Sequence, residues 1–335
     1  MIFADSNIRA NYSLTHHYAL TATHETGEQD NSNNESVVLS RYSEPSRSVI
    51  AALEGYDVTV HGFGFENYGE EKDYVHLTSA EVERMFGEQV CVSKINGECI
   101  LTPLGEKWMQ QKNQSMGKGH CDGMAALSLL FYVNHINVKD FGGISVNSLR
   151  IEGNEKLQRE IAYWWTTQAT EPTQSARDKN ALTPQEVVQE LVKAFKAGFN
   201  SELYTIALWN SNGKGGHAVT PFAVEEWDNN VYAILVYDNN YPNITRKIIV
   251  DSNANTWKYN ASINPNAPEY LYEGDANTKT LLLTPTSSRL RIQQCPFCEE
   301  DSAPLVDKVE AATSDLRQGT SIAKTVDIAS QIVSP

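Results

Sequence analysis

The sequence predicts an α+β protein in which a helical first half is followed by an antiparallel β-sheet. Apolar residues recur at helical spacing as far as Gly198, and beyond it they alternate with a period of two. Turn signals separate the alternating segments, as is typical of consecutive antiparallel strands. Helices first and strands afterwards indicate the α+β layout rather than a sheet built from alternating strands and helices.

Composition and charge limit the classes of function that we expect for this protein. The chain has 335 residues, of which 41% are hydrophobic and 21% charged, and this indicates a globular protein with a substantial core. It carries 42 acidic against 27 basic residues, a net charge of −15, without a run of lysines and arginines. Such a chain would repel phosphate backbones, so we expect no nucleic-acid partner. No stretch of 18 apolar residues occurs, so we also expect no membrane span.

The chain divides by composition into three parts. Residues 1–50 read as a flexible N-terminal arm, residues 51–290 as the main folded domain, and residues 291–335 as a C-x-x-C segment followed by an acidic tail. The first residues lack a basic region followed by an apolar one, so no signal peptide is readable. The localisation therefore stays open.

The first elements follow from local patterns. Residues Asp57–Phe65 alternate like a short strand, with two glycines that hint at a bend. Thr78 and Glu81 form a capping box that opens a helix, and Gly87 closes it. Residues Val90–Leu101 predict a hairpin around Asn-Gly, the strongest short hairpin signal.

The longest helix signal is the apolar run Cys121–His135, which follows the glycine-rich loop Met116–His120. Residues Asn154–Thr167 predict a second helix, and Thr183 caps a third that ends at Gly198. Five strands follow: Leu203–Trp209, His217–Trp227, Val231–Tyr237, Thr245–Val250 and Thr280–Leu283. Asp-Asn-Asn at 228–230 predicts a tight turn between the second and third of them.

Cys121 is the first candidate for chemistry. It stands where the glycine-rich loop meets the apolar helix, and the unpaired N–H groups of a helix N-terminus favour a thiolate over a thiol. The alternative is an inert buried cysteine at the start of a core helix.

A histidine and an acid complete a possible triad. His217 begins a strand after Gly-Gly, and Asp238 ends the next strand. Because the turn at 228–230 makes these strands antiparallel, we expect both side chains at the same end of the sheet, within hydrogen-bonding reach. Cys121, His217 and Asp238 would then serve as nucleophile, base and orienting carboxylate. Separately, His217 is also readable as a loop-edge histidine and Asp238 as a turn residue.

Three segments together carry a resemblance: GHCDGMA at the helix start, GGHAVTPFAV on one strand and YAILVYDNN on the next. They resemble the papain-like cysteine peptidase superfamily, and more narrowly its bacterial members related to double-glycine leader peptidases. The resemblance covers about residues 110–250. It implies a papain-like fold, with the nucleophile-bearing helix packed on an antiparallel sheet that carries the base, and a peptide or protein substrate.

The resemblance also implies an oxyanion-hole glutamine a few residues before the nucleophile. The usual place, six residues before Cys121, holds Ser115, and Gln114 lies seven before. We predict Gln114 and the Cys121 backbone N–H as the two donors. Asn239 and Asn240 are alternatives to Asp238 as the third member of the triad.

The predicted activity is a thiol-dependent hydrolase, a cysteine peptidase that works through an acyl-thioenzyme without a cofactor or metal. One alternative is amide transfer of the transglutaminase or acyltransferase type on the same triad. The other is a non-catalytic binding module that retains the fold. His120, next to the nucleophile, is expected at the edge of the cleft.

The other four cysteines fall in two pairs, Cys91 with Cys99 and Cys295 with Cys298. Together they suffice for a tetrahedral zinc site, but the spacing of the first pair is wider than in ordinary zinc knuckles. We therefore favour two disulfides or two reduced pairs over zinc. Two disulfides beside one reactive thiol would be compatible with export.

Overall fold

The computed structural model describes residues 47–298, except 71, 180, 199–200, 211–214 and 263–264. The helices in this part are α1 (Val58–His61), α2 (Ser79–Phe86), α3 (Pro103–Met116), α4 (Cys121–Tyr132), α5 (Glu155–Thr167), α6 (Thr173–Lys179), α7 (Pro184–Ala197) and α8 (Thr286–Arg289). The strands are β1 (Ser48–Ala52), β2 (Cys91–Ile95), β3 (Glu98–Leu101), β4 (Tyr204–Trp209), β5 (Gly216–Trp227), β6 (Val231–Tyr237), β7 (Thr245–Asp251), β8 (Thr256–Ala261), β9 (Tyr270–Asp275) and β10 (Leu281–Pro285). The mixed helix-and-sheet class predicted from the sequence is therefore confirmed.

Local capping signals locate the helices well. Thr78 and Glu81 bond reciprocally at the start of α2, and Thr183 and Glu186 do the same at the start of α7. The β2–β3 hairpin turns at Asn96 and Gly97, both with positive φ.

The strand predicted over Asp57–Phe65 is wrong. Asp57 adopts extended backbone and its carboxylate accepts a hydrogen bond from the N–H of Thr59 at 2.7 Å, so it caps the short helix α1. The apolar alternation in this segment coincides with one helical turn followed by an irregular stretch. Phe63 nevertheless enters the core fully buried, and its N–H donates to the Tyr237 hydroxyl at 3.1 Å.

The main sheet is antiparallel, with strand order β10-β4-β5-β6-β7-β8-β9. The long strand β5 pairs on one edge with β4 near its start and with β1 near its end, and on the other edge with β6. The sheet is curled, so that its last strand β9 comes close to β4. The Tyr270 hydroxyl of β9 accepts a hydrogen bond at 3.3 Å from Asn210, which directly follows β4. Strands β8 and β9, which the sequence did not predict, form the curled end.

Helix α4 is the centre of the core. Its residues from Asp122 to Tyr132 are all buried, rather than one face only, because α4 lies between α5 and the sheet. The Thr220 hydroxyl of β5 donates to the carbonyl of Ala125 at 3.0 Å and so joins helix and sheet directly. This contact places the start of α4 beside the start of β5.

The folded part extends slightly beyond the predicted limits of 51 and 290. β1 begins at Ser48 and pairs with β5, and Phe297 packs its ring against Phe86 and Trp108. Most of the predicted arm, residues 1–46, and the tail from 299 lie outside the described residues.

Both expected cysteine pairs form disulfides, Cys91–Cys99 and Cys295–Cys298. Glu83 lies near the sulfurs of Cys91 and Cys99, but a disulfide offers no thiolate to a metal ion. Within the described part of the chain, every helix is too short or too polar to cross a bilayer.

Candidate active site

Cys121 is the first residue of α4 and the one cysteine of the chain outside a disulfide. Its side chain is half-buried, and the preceding residue makes no side-chain cap to the helix. The N–H groups of the first turn therefore keep their capacity to stabilise negative charge near the sulfur. Gly119 has φ of +137°, and a Cβ there would lie 3.0 Å from the Asn67 side chain, so the approach to Cys121 requires glycine.

The expected hydrogen bond between His217 and Asp238 is present. Thr220 pairs with Tyr237 across β5 and β6, which sets His217 and Asp238 at the same end of neighbouring strands. The Nε2 atom of His217 donates to an Asp238 carboxylate oxygen at 2.7 Å, and both side chains are fully buried. This bond leaves Nδ1 as the ring nitrogen available to the sulfur, and Nδ1 is buried with no hydrogen-bond partner in the described structure.

The three side chains are electrostatically coupled. Burial alone would lower the pKa of His217, but the charge of Asp238, its hydrogen bond and the Cys121 side chain raise this pKa to about 10. Burial would raise the pKa of Asp238, yet His217 and two further hydrogen bonds hold it below its ordinary value. The site therefore favours an imidazolium between a carboxylate and the thiol sulfur.

Asp238 is held by more than the imidazole. The Tyr259 hydroxyl of β8 donates to its second oxygen at 2.5 Å, and the backbone N–H of Asn240 donates to the first at 2.9 Å. Tyr259 was missed in the sequence because β8 was not predicted, although Trp257, Tyr259 and Ala261 alternate as buried residues there. That period of two was the available signal.

The alternatives Asn239 and Asn240 lie at the site but do not contact the imidazole through their side chains. The Asn239 amide donates to the carbonyls of Cys121 at 3.0 Å and Ala218 at 2.9 Å. The Asn240 amide donates to the carbonyl of Ser262 at 2.8 Å. Asp238 is the side chain that the geometry brings to His217.

Asn67 ties the loop before Cys121 to the loop after β6. Its side-chain oxygen accepts from the N–H of His120 at 2.7 Å, and its amide donates to Asn240 at 3.1 Å. Its own N–H donates to the carbonyl of Asn239 at 2.8 Å. No local sequence pattern indicates Asn67, since its role depends on two distant loops meeting.

His120 does not lie at the edge of the cleft, as was expected, but is fully buried. Its ring stacks on Tyr68 at 4.2 Å, Nδ1 donates to the carbonyl of Tyr68 at 2.8 Å, and Nε2 lies 3.2 Å from Nδ1 of His76. Burial lowers the pKa of His120 to about 3. His120 therefore anchors the loop as a neutral group. Its two ring nitrogens face Tyr68 and His76 and are not available for proton transfer at Cys121.

Gln114 lies on the exposed face of α3, as does Ser115. None of the described hydrogen bonds joins the Gln114 side chain to Cys121 or His217. Its role as an oxyanion donor stays a prediction. The N–H of Cys121 belongs to the first turn of α4, which has no side-chain cap, and its role as the other donor likewise stays a prediction.

Two tyrosines of β9, Tyr270 and Tyr272, lie near the site. Tyr272 pairs with Tyr259 across β8 and β9, and its buried hydroxyl bonds the Tyr270 hydroxyl. Burial raises the pKa of Tyr272, and negative charge on Cys121 and Asp238 raises it further. The curl of the sheet therefore brings β9 within electrostatic range of the sulfur.

A polar cavity of about 480 Å³ opens beside Asn67 and Pro242, next to both loops of the site. Aromatic rings of Phe65 and Tyr68 and the carboxylates of Glu66 and Glu152 contribute to its walls. Cys121, His217 and Asp238 are not among the residues that line it.

Comparison with known proteins returns no match, whether with a protein-family model, with a curated protein or with a solved structure.

Proposed function

We propose that this protein is a thiol-dependent hydrolase that cleaves amide bonds of a peptide or protein substrate. The observation that carries the proposal is the convergence of one free cysteine, at the N-terminus of a buried helix, with a buried histidine–aspartate pair. One ring nitrogen of His217 is bonded to Asp238 and the other has no hydrogen-bond partner in the described structure, and the Cys121 side chain contributes to the raised pKa of His217. This is the arrangement that nucleophilic thiol catalysis requires.

The chemistry follows from the order of the three groups. The Cys121 sulfur attacks the amide carbonyl carbon, and the negative charge on the carbonyl oxygen develops beside the N–H groups at the start of α4. The His217 imidazolium gives its proton to the leaving amine, so that the C–N bond breaks and a thioester remains. Neutral His217 then takes a proton from water, and the hydroxide displaces the sulfur, which releases the acid. Asp238 fixes the ring orientation throughout.

The papain-like arrangement belongs to the same proposal. A helix that starts with the nucleophile packs on an antiparallel sheet whose neighbouring strands provide histidine and aspartate. This architecture agrees with what the sequence motifs imply.

The first test is alkylation by iodoacetamide at pH 6, followed by mass mapping of the modified residue. Because the other four cysteines are paired, the native protein should be labelled at Cys121 alone, at a rate at least tenfold above that of the unfolded protein. His217→Ala should bring the rate to the unfolded level, whereas His135→Ala, a change at an exposed histidine, should leave it unaltered. A native rate equal to the unfolded rate would rule out an activated nucleophile.

The second test measures amide cleavage in a peptide library by mass spectrometry. Cys121→Ala should abolish cleavage, and Asp238→Asn should reduce it by about 10² to 10⁴-fold. Adding a primary amine separates hydrolysis from amide transfer, because transfer would give an amine-linked product in place of the free acid. Cleavage that survives in Cys121→Ala would contradict the assignment.

A further inference from the structure

The residue after Cys121 forms a second almost completely buried ion pair, besides that of His217 with Asp238. Two oxygens of Asp122 accept hydrogen bonds from the two terminal nitrogens of Arg289, at 2.7 and 2.8 Å. The Asp122 side chain is 3% exposed and that of Arg289 is not exposed at all. Neither residue was singled out in the sequence, since 167 positions separate them.

Arg289 is fixed by three further acceptors. Its guanidinium donates to the carbonyl of Trp164 at 3.2 Å, to the hydroxyl of Thr167 at 2.9 Å and to that of Thr205 at 3.1 Å. These acceptors belong to α5 and β4, so one side chain links the nucleophile helix to two neighbouring elements. The planar guanidinium group of arginine can donate to these acceptors at the same time, and the ammonium group of a lysine cannot reproduce that geometry.

The segment that carries Arg289 is held in place independently. Gln293 is buried, and its oxygen accepts from the hydroxyls of Thr170 at 2.8 Å and Thr173 at 3.2 Å. Its amide donates to the carbonyls of Ser288 and Arg291. The chain after β10 therefore presents Arg289 to α4 in one orientation.

The Asp122–Arg289 ion pair affects the electrostatic environment of the Cys121 sulfur. Asp122 lies in the first turn of α4, where an acidic side chain stabilises the helix through the positive end of its dipole. The same positive end stabilises a Cys121 thiolate, and an unbalanced carboxylate on the adjacent residue would oppose that charge. The positive guanidinium of Arg289, bonded to both carboxylate oxygens, offsets the negative charge of Asp122.

We propose that Arg289 is a positioning and charge-balancing residue for the nucleophile: it neutralises Asp122 and thereby lets the N-terminus of α4 favour the Cys121 thiolate. This inference rests on the proposed function, since it assigns a purpose to the same sulfur. It makes a segment beyond the last strand, outside the motifs that suggested the triad, part of the active site.

The charged and titratable groups around the sulfur come from several separate parts of the fold. His217 belongs to β5, Asp238 follows β6, Tyr272 belongs to β9, and the Asp122–Arg289 pair joins α4 to α8. His120 precedes Cys121 but is bonded to Tyr68 on the other side of the loop. The Asp122–Arg289 pair can be changed without altering the Cys121–His217–Asp238 set.

The test is the pH dependence of Cys121 alkylation by iodoacetamide, whose midpoint is the pH of half-maximal rate. In Asp122→Asn the guanidinium stays charged and unbalanced, so the midpoint should fall by about half a pH unit or more. In Arg289→Lys the charge is kept while the fork is lost, so the midpoint should stay near the native one although the maximal rate decreases several-fold. Lys193→Gln, which removes a positive charge from the exposed face of α7, is the control and should shift nothing.

A purely structural role would lower the rate in Asp122→Asn without lowering its midpoint. An unchanged or higher midpoint in a folded Asp122→Asn protein would overturn charge balancing. Arg289→Gln is the more severe change, and if it does not fold, Asp122→Asn still decides the question. Slow native alkylation, equal to that of the unfolded chain, would instead refute the proposed function, so the two failures are distinguishable.

Discussion

The pKa values of two buried histidines near Cys121 are shifted in opposite directions because the partners of the two rings differ. His120 is surrounded by a carbonyl and by the ring of His76, and burial lowers its pKa to about 3. His217 is equally buried, but the carboxylate of Asp238 and the sulfur of Cys121 outweigh burial and raise its pKa to about 10. Burial alone therefore says little about a histidine until the charge of its neighbours is known.

The lowered pKa of His120 gives a prediction for acid stability. The unfolded chain binds a proton at this residue below about pH 6.5, whereas the folded chain does not until about pH 3. Stability should therefore fall as the pH decreases through this window, by up to about 1.4 kcal/mol per pH unit from this residue. In His120→Asn, which keeps a donor for the Tyr68 carbonyl, this part of the slope should vanish.

Urea unfolding between pH 7 and pH 4 measures the difference between the two slopes. Carboxylates contribute to both proteins, so only the difference belongs to His120. His135→Asn is the matched control, because this histidine is exposed. A variant slope as steep as the native one would show that His120 is protonated in the folded state.

At the scale of elements, the contact between α4 and α5 requires glycine. A Cβ on Gly123 would lie 2.2 Å from the carbonyl oxygen of Ile161 and 2.9 Å from the backbone nitrogen of Trp165. The atoms in conflict belong to the backbone of α5, so they cannot swing aside as the end of a flexible side chain would. Gly123 thus sets how closely the nucleophile helix approaches its neighbour.

Gly123→Ala should therefore destabilise the protein by at least about 2 kcal/mol, measured by urea unfolding. It should also slow Cys121 alkylation, because the start of α4 has to move away from α5 and thereby changes its position relative to His217. Gly105→Ala, in the first turn of α3, is the control: the nearest atom to its added Cβ is the Thr102 hydroxyl at 3.2 Å. We expect that change to stay within about 1 kcal/mol, and an equally mild effect at Gly123 would contradict the close-packing argument.

The elements that could be predicted are those with strong local signals. The capping residues Thr78 and Thr183 locate two helices, and the apolar run after His120 locates α4. The β5–β6 pairing follows from the turn at 228–230, which is why His217 and Asp238 could be placed together. By contrast, the strand predicted from Asp57 is wrong because a side-chain cap favours a helical turn over the apolar alternation.

At the scale of the whole molecule, the curl of the sheet decides which distant residues surround the site. Tyr259, Asn67 and Arg289 reach it from a late strand, an early loop and the end of the fold. No local pattern encodes those contacts, because each depends on the relative position of segments that are far apart in the chain. The sequence could therefore indicate the three reacting groups, but not the side chains that hold them.

Neither disulfide is bonded to the residues of the site, and this gives a prediction. They close loops of different length, since Cys91 and Cys99 are 8 residues apart and Cys295 and Cys298 only 3. By loop entropy, Cys91→Ser with Cys99→Ser should cost about 2.5 kcal/mol, and Cys295→Ser with Cys298→Ser about 1.6 kcal/mol. Urea unfolding of the two double variants measures both values.

The same variants separate stability from reactivity. The groups that activate Cys121 are His217, Asp238 and the start of α4, and none of them is bonded to either disulfide. Each folded double variant should therefore keep the native rate of Cys121 alkylation at pH 6, as should the native protein under a mild reductant. If removing Cys295–Cys298 slowed alkylation while the protein stayed folded, the C-terminal segment would control the sulfur through its disulfide rather than through Arg289.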